Sequence, residues 1–146
     1  MSVCKDKKSM CYNEVIEIEL PKIKDLRGNL SFLEQNNHVP FEINRVYWIY
    51  DVPGGEGRGG HAYKNTAELI LPLSGGFTVD IKQGEKSSSH RLTQTNKGLY
   101  LPPMTWRKIN SFVSNSVCLV ISDTKFENCE YIRDFMEYIK LYKHLI

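Results

Sequence analysis

His61 titrates nearest neutrality among the side chains that could move protons here, and the residues spaced around it suggest what it would move them between. It stands in GEGRGGHAYKNTAELILPLSG, from Gly55 to Gly75, with Tyr63 two residues on and Arg58 three before. Residues two apart on a strand face the same way, so His61 and Tyr63 would present an imidazole and a phenol to one side. Tyr47 lies in Arg45-Val46-Tyr47-Trp48-Ile49-Tyr50, where residues 45, 47 and 49 share a face; if Ile49 points inward, so does Tyr47. An inward Tyr needs a partner for its hydroxyl, either a core hydrogen bond or a ligand. Arg27, Arg58 and Arg107 are fixed cations for an anion or an enolate oxygen. One His with two hydroxyl relays and cations suits moving a proton beside a ketone. It suits acyl transfer less, since there is no GxSxG, and Cys118 inside SVCLVI reads as a buried, reduced thiol with nothing to activate it.

The elements that must position these groups are short. Candidate strands are Val15-Leu20, Leu30-Glu34, Asn44-Asp51, Leu69-Leu73, Phe77-Lys82, His90-Thr93, Gly98-Leu101 and Ser116-Ser122. Turn signals such as Pro53-Gly54-Gly55, Ser74-Gly75-Gly76 and Pro102-Pro103 separate them at intervals of about ten residues, the rhythm of an antiparallel sandwich or barrel. No helical stretch lies between them, which argues against parallel βαβ units. Only the end differs. From Glu130 to Ile146, Tyr131, Ile132, Phe135, Ile139, Tyr142 and Leu145 follow a 3.6-residue period, with Asn128 as a candidate cap. The expectation is an all-β antiparallel barrel followed by one amphipathic helix packed on its own barrel. Residues 1–12 read as a flexible tail and 13–146 as one domain.

At 146 residues the chain fits one domain of the usual ~100–200 residues. Nineteen Lys and Arg against seventeen Asp and Glu leave +2, too balanced for nucleic acid or an anionic membrane surface. No apolar run approaches the ~18 residues of a membrane span, and MSVCKDKKSM has no signal-peptide core. Cys4, Cys11, Cys118 and Cys129 form no CxxC pair, so the expectation is a cytoplasmic protein without disulfides.

The stretch around His61 resembles the first signature of the cupin superfamily. Gly55, His61, Glu68 and Gly75 stand at its spacings, with Tyr63 where the second His belongs. In the second signature region, GLYLPPMTWRKI, Arg107 takes the position of the last ligand. A fixed cation repels a divalent ion and a neutral Tyr is a poor ligand, so the expected pocket holds no metal.

Longer segments resemble a narrower family. DLRGNLSFLE (25–34), PFEINRVYWIYDVPGGEGRGGHAYK (40–64), GLYLPPMTWR (98–107) and SVCLVISDTKFENCEYIRDF (116–135) are similar to the WxcM-like dTDP-sugar 3,4-ketoisomerases. The resemblance implies a cupin-type jelly-roll homodimer, often with N-terminal strands exchanged between subunits. It implies dTDP-4-keto-6-deoxy-D-glucose as substrate, no metal or organic cofactor, and a product feeding 3-amino-3,6-dideoxyhexoses of surface glycans such as lipopolysaccharide. It assigns His61 as the principal acid/base and Tyr47 as a proton shuttle. The diphosphate calls for cations, with Arg58, Lys64 and Arg107 as candidates. Two departures stand out. The family usually has His-Ala-His-Lys where this chain has His61-Ala62-Tyr63-Lys64, so Tyr63 is expected to orient His61 or the sugar. Arg27 and Arg107 mix the patterns of galacto- and gluco-producing members, and the DxRG context of Arg27 favours the galacto product. Two alternatives stay open, a dTDP-sugar 3,5-epimerase-like enzyme and a non-catalytic sugar-nucleotide-binding cupin.

Overall fold

Alternation of apolar and polar residues builds two antiparallel five-stranded sheets in the computed structural model, which describes residues 13–145. The first sheet runs β1 (Ile16–Glu19), β9 (Lys97–Leu101), β6 (Glu68–Ser74), β11 (Val117–Ser122) and β4 (Arg45–Ile49), in spatial order. The second runs β12 (Tyr131–Ile132), β5 (Arg58–Tyr63), β10 (Trp106–Asn110), β7 (Phe77–Gln83) and β8 (Lys86–Leu92). Strands β2 (Lys22–Ile23) and β3 (Leu30–Ser31) form a separate two-stranded arm. This is the cupin-type all-β architecture expected. The proposed tail at 1–12, with Cys4 and Cys11, lies outside the described residues.

The faces sort by parity. Ile70, Val79, Ile81, Leu99, Ile109 and Val120 point between the sheets and form the main core, joined by Cys118 and flanked by Tyr47 and Ile49. Leu69, Leu71 and Ile121 point the other way and are covered by Leu20, Val39 and Phe41. The outer face of the second sheet is covered by helix α1 (Phe135–Lys143), whose fully buried Tyr138 packs against Ala62 and Ile132. The Tyr138 hydroxyl accepts from the Gly84 N–H at 3.0 Å and lies 2.9 Å from the Lys82 carbonyl oxygen. The helix thus packs on its own barrel.

The helix begins later than the periodicity suggests. Asp134 is the cap, accepting from the Glu137 N–H at 2.8 Å, whereas Asn128 closes a 3-10 turn at Phe126–Asn128. Tyr131 and Ile132 pair instead with Tyr63 and Ala62 along the edge of β5. A sheet edge offers unpaired backbone groups that outweigh a marginal first helical turn. Strands Arg58–Tyr63 and Trp106–Asn110 lie beyond the candidate strands; Gly59-Gly60 weakens the local strand signal of the first, and the charged Arg107-Lys108 pair breaks the apolar run of the second.

Candidate active site

A cavity of about 590 Å³ opens at one end of the barrel, between β4, β5 and β10 and the chain that follows β11. Inward positions of β4 supply Arg45, Tyr47 and Ile49, and β5 supplies His61 and Tyr63. Arg107 enters from β10, and Phe126, Tyr131 and Arg133 close one side.

β5 reaches this geometry through a bulge. Arg107 pairs with His61 but Ile109 pairs with Arg58, so three steps on β5 meet two on β10. Gly59 absorbs the extra residue at φ +89°, and a Cβ there would lie 3.2 Å from Arg107 Nη1 and 3.7 Å from His61 Cε1. Only glycine combines that backbone with that space.

Behind the cavity wall, Glu68 is buried on β6 with 1% of its side chain exposed. Arg107 crosses from the opposite sheet so that its Nη2 lies 2.8 Å from Glu68 Oε2, and the same nitrogen donates to the Tyr47 hydroxyl at 2.9 Å. Tyr47 in turn donates to Glu68 Oε1 at 2.7 Å, while Arg45 Nη2 stands 3.8 Å from that oxygen. Arg45 also lies over the Tyr47 ring, 4.7 Å from its centroid. The rings of His61, Tyr63 and Tyr131 meet edge-on or tilted, with His61 and Tyr63 centroids 4.8 Å apart and Tyr63 and Tyr131 4.7 Å apart. Arg133 lies 4.3 Å over Tyr131.

The electrostatics set the protonation states. Burial, with Arg107, Arg133 and Arg45 nearby, lowers His61 from 6.5 to about 3, so the imidazole is neutral. Its Nε2 is buried and has no hydrogen-bond partner among the described residues. Burial raises Tyr47 well above the usual phenol range; Arg107 opposes that rise and Glu68 adds to it. Burial and Glu68 raise Tyr63 likewise, so both phenols are protonated. Burial pushes the Cys118 thiol up to about 12, which leaves it inert. The result is a neutral base and neutral phenols within a wall of guanidinium groups.

The fold family places a metal at such a site, and the residues here do not fit one. The Arg107 guanidinium already occupies the Glu68 carboxylate, where its positive charge opposes a divalent ion. Tyr63 is a protonated phenol. Among the described residues no three His, Cys, Asp or Glu side chains gather as ligands would.

Of the residues expected from sequence, the cavity wall brings together Tyr47, Arg58, His61, Tyr63 and Arg107. It does not include Lys64, which is exposed past the end of β5 and whose N–H bonds the Glu130 carbonyl at 2.9 Å. Nor does it include Arg27. That side chain is 90% exposed on the arm between β2 and β3, paired with Asp25 at 2.8 Å. Arg45, Tyr131 and Arg133 were missed. Arg45 had a signal, because it shares the inward parity of Tyr47 and Ile49; Tyr131 and Arg133 had none, being absorbed into an apparent helix. Glu68 was legible as a retained ligand position, and its pairing with Tyr47 was not.

With this geometry in place, the chain can be compared with known proteins. The family model described as WxcM-like, C-terminal, matches residues 13–143. The chain belongs to the WxcM-like family of 3,4-ketoisomerases. The TDP-4-oxo-6-deoxy-alpha-D-glucose-3,4-oxoisomerase of Aneurinibacillus thermoaerophilus is 34% identical over 128 residues, covering 88% of this chain and 91% of that one. A mutant 3,4-ketoisomerase from Thermoanaerobacterium thermosaccharolyticum, solved with TDP-4-keto-6-deoxyglucose, matches at 30% identity and a TM-score of 0.87, covering 92% of this chain and 97% of that one. A TDP-quinovose 3,4-ketoisomerase from Campylobacter jejuni matches at 32% identity and a TM-score of 0.83, over 87% and 98% of the two chains. Like its relatives, this WxcM-like protein is an isomerase, and the neutral His61 beside two protonated phenols is the equipment such a reaction needs.

Proposed function

We propose that this WxcM-like isomerase converts dTDP-4-keto-6-deoxy-D-glucose into the dTDP-3-keto-6-deoxyhexose, by acid/base catalysis without a metal. The observation that carries this reading is the free Nε2 of a neutral His61 on the same cavity wall as Tyr47. The C4 ketone acidifies the C3 hydrogen, which His61 Nε2 removes. The charge that develops on the sugar oxygens lies among Arg45 and Arg107, whose guanidinium groups are already held on the cavity wall. Tyr47 moves a proton between the C3 and C4 oxygens, and His61 returns its proton to C4. Tyr63 touches His61 edge-on and so keeps the imidazole plane, in the role of the family's second His. Arg45, Arg58 and Arg133 are the cations available to the diphosphate; Lys64 lies away from the cavity. Arg107 on Glu68 takes up the carboxylate a metal would need.

The product is expected to have galacto configuration, on the DxRG context of Arg27, although the Arg27 and Arg107 pair mixes the two patterns. The protein is further proposed to act as a homodimer in the cytoplasm, supplying 3-amino-3,6-dideoxyhexose synthesis for surface glycans. Two surfaces favour the dimer: the β2–β3 arm leaves Ile23, Leu26 and Leu30 more than half exposed, and the outer face of edge strand β4 does the same with Trp48.

The test is to incubate the protein with dTDP-4-keto-6-deoxyglucose in D₂O and follow the sugar by NMR. Migration of the carbonyl to C3 is expected, with the C4 coupling giving the configuration. Deuterium at C5 would point instead to an epimerase, and an unchanged sugar to a binding module. His61→Asn should abolish turnover, whereas Tyr63→His should retain it; an undiminished rate in the His61 variant sinks the mechanism.

A further inference from the structure

Tyr47 and Glu68 hold a proton arrangement that the ketoisomerase chemistry above does not explain. A phenol has one proton and two lone pairs. The Tyr47 proton is committed to Glu68 Oε1 at 2.7 Å, and one lone pair accepts from Arg107 Nη2 at 2.9 Å. What remains for the cavity is a lone pair. Tyr47 therefore cannot donate to a bound sugar while its bond to Glu68 stands. Glu68 is itself restrained as an acceptor, because Arg107 at 2.8 Å and Arg45 at 3.8 Å share its charge. A neutral ketone oxygen is a weaker acceptor than even this carboxylate. An enolate oxygen, fully charged, is a stronger one.

We infer that Glu68 is a positioning residue: it holds the Tyr47 proton away from the ground-state sugar and yields it only as negative charge builds on the C4 oxygen. This rests on the ketoisomerase reading and deepens it. The C3–H proton goes to His61 Nε2, the C3–H electron pair forms the C3–C4 double bond, and the charge passes to the C4 oxygen. The phenol's bond to Oε1 then breaks and its proton goes to that oxygen. The phenolate, held beside Arg107, takes the proton of the C3 hydroxyl and turns it back to Glu68. Collapse of the C3 oxyanion makes the C3 ketone while C4 takes the proton from His61. An interaction realised only as the transition state forms raises kcat rather than tightening substrate binding. The carboxylate of a lost metal site thus becomes a timing device for a phenol.

Glu68→Gln tests this, because a neutral amide holds the phenol proton less firmly and lets it bind the resting sugar. With dTDP-4-keto-6-deoxyglucose, kcat is expected to fall about 10-fold and KM to fall with it by roughly 3-fold or more. In a Tyr47→Phe background, which lacks the proton shuttle, the same substitution should leave the Kd of dTDP-4-keto-6-deoxyglucose by isothermal titration calorimetry within about 2-fold, since no phenol proton remains to be released. If Glu68→Gln does not fold, Glu68→Asp keeps the charge while withdrawing it by one methylene, and should move both constants in the same direction. An unchanged kcat overturns the inference, and so does a fall in kcat with KM unmoved, the mark of a merely structural carboxylate. A wild-type protein that leaves the keto sugar unconverted overturns the ketoisomerase reading beneath it instead.

Discussion

Gly59→Ala places a single methyl group where the site has no room for it. The residue sits at φ +89°, a conformation that costs an L-residue with a side chain about 1–2 kcal/mol. The new Cβ would also stand 3.2 Å from Arg107 Nη1, so the guanidinium must retreat by a few tenths of an ångström. For a chain of 146 residues, 1–2 kcal/mol corresponds to a melting temperature lower by about 3–7 °C. Arg107 is held at once by Glu68 and Tyr47, so its retreat loosens both contacts. If a misplacement of 1 Å costs about 100-fold in rate, a few tenths should cost about 3- to 5-fold in kcat. The assay is a thermal melt by circular dichroism beside steady-state kinetics on the keto sugar. Gly60→Ala is the control, because a Cβ there meets nothing within 4 Å and should leave both quantities near wild type. A Gly59 variant that melts with the wild type and turns over at the same rate would refute the claim that the bulge shapes the site.

Other perturbations reach different parts of the same argument. Arg107→Met leaves Glu68 buried with the neutral Tyr47 hydroxyl and Arg45, 3.8 Å away, as its nearest partners, and should cost about 3–5 kcal/mol of stability by chemical denaturation; Arg107→Met with Glu68→Gln should recover most of that. Because His61 is lowered from 6.5 to about 3, the folded state binds fewer protons than the unfolded one between those values. Its contribution to stability is therefore complete above pH 6.5 and lost as pH falls toward 3. The acid limb of kcat/KM should likewise lie well below pH 6, and a limb near 6.5 would show that the imidazole is not desolvated. Tyr138→Phe removes the acceptor of the buried Gly84 N–H and should cost about 1–3 kcal/mol in melts while sparing KM, since the helix lies on the face away from the cavity.

Much of this protein was legible along the chain. The alternation in Arg45-Val46-Tyr47-Trp48-Ile49 set which side chains face inward, and β4 shows that pattern. The spacing from Gly55 to Gly75 placed His61 and Tyr63 on one face and marked Glu68 as the carboxylate of the site. Such features follow from covalent neighbours, whose relative directions the strand period determines whatever the rest of the molecule does. Other features belong to tertiary structure alone. The pairing of Glu68 with Arg107 joins opposite sheets, and the bond from Tyr47 to Glu68 joins residues 21 apart in sequence. Neither is a matter of period; both depend on register and on how the sheets close over one another. Tyr131 and Arg133 reach the cavity because the edge of β5 captured a strand from a segment whose apolar spacing also suits a helix. Arg27, chosen for its charge, stands out in solvent on the β2–β3 arm with Asp25. Local sequence decided which face each group takes, and packing across the barrel decided which groups meet, because a contact between distant strands is worth forming only once the whole core has closed around it.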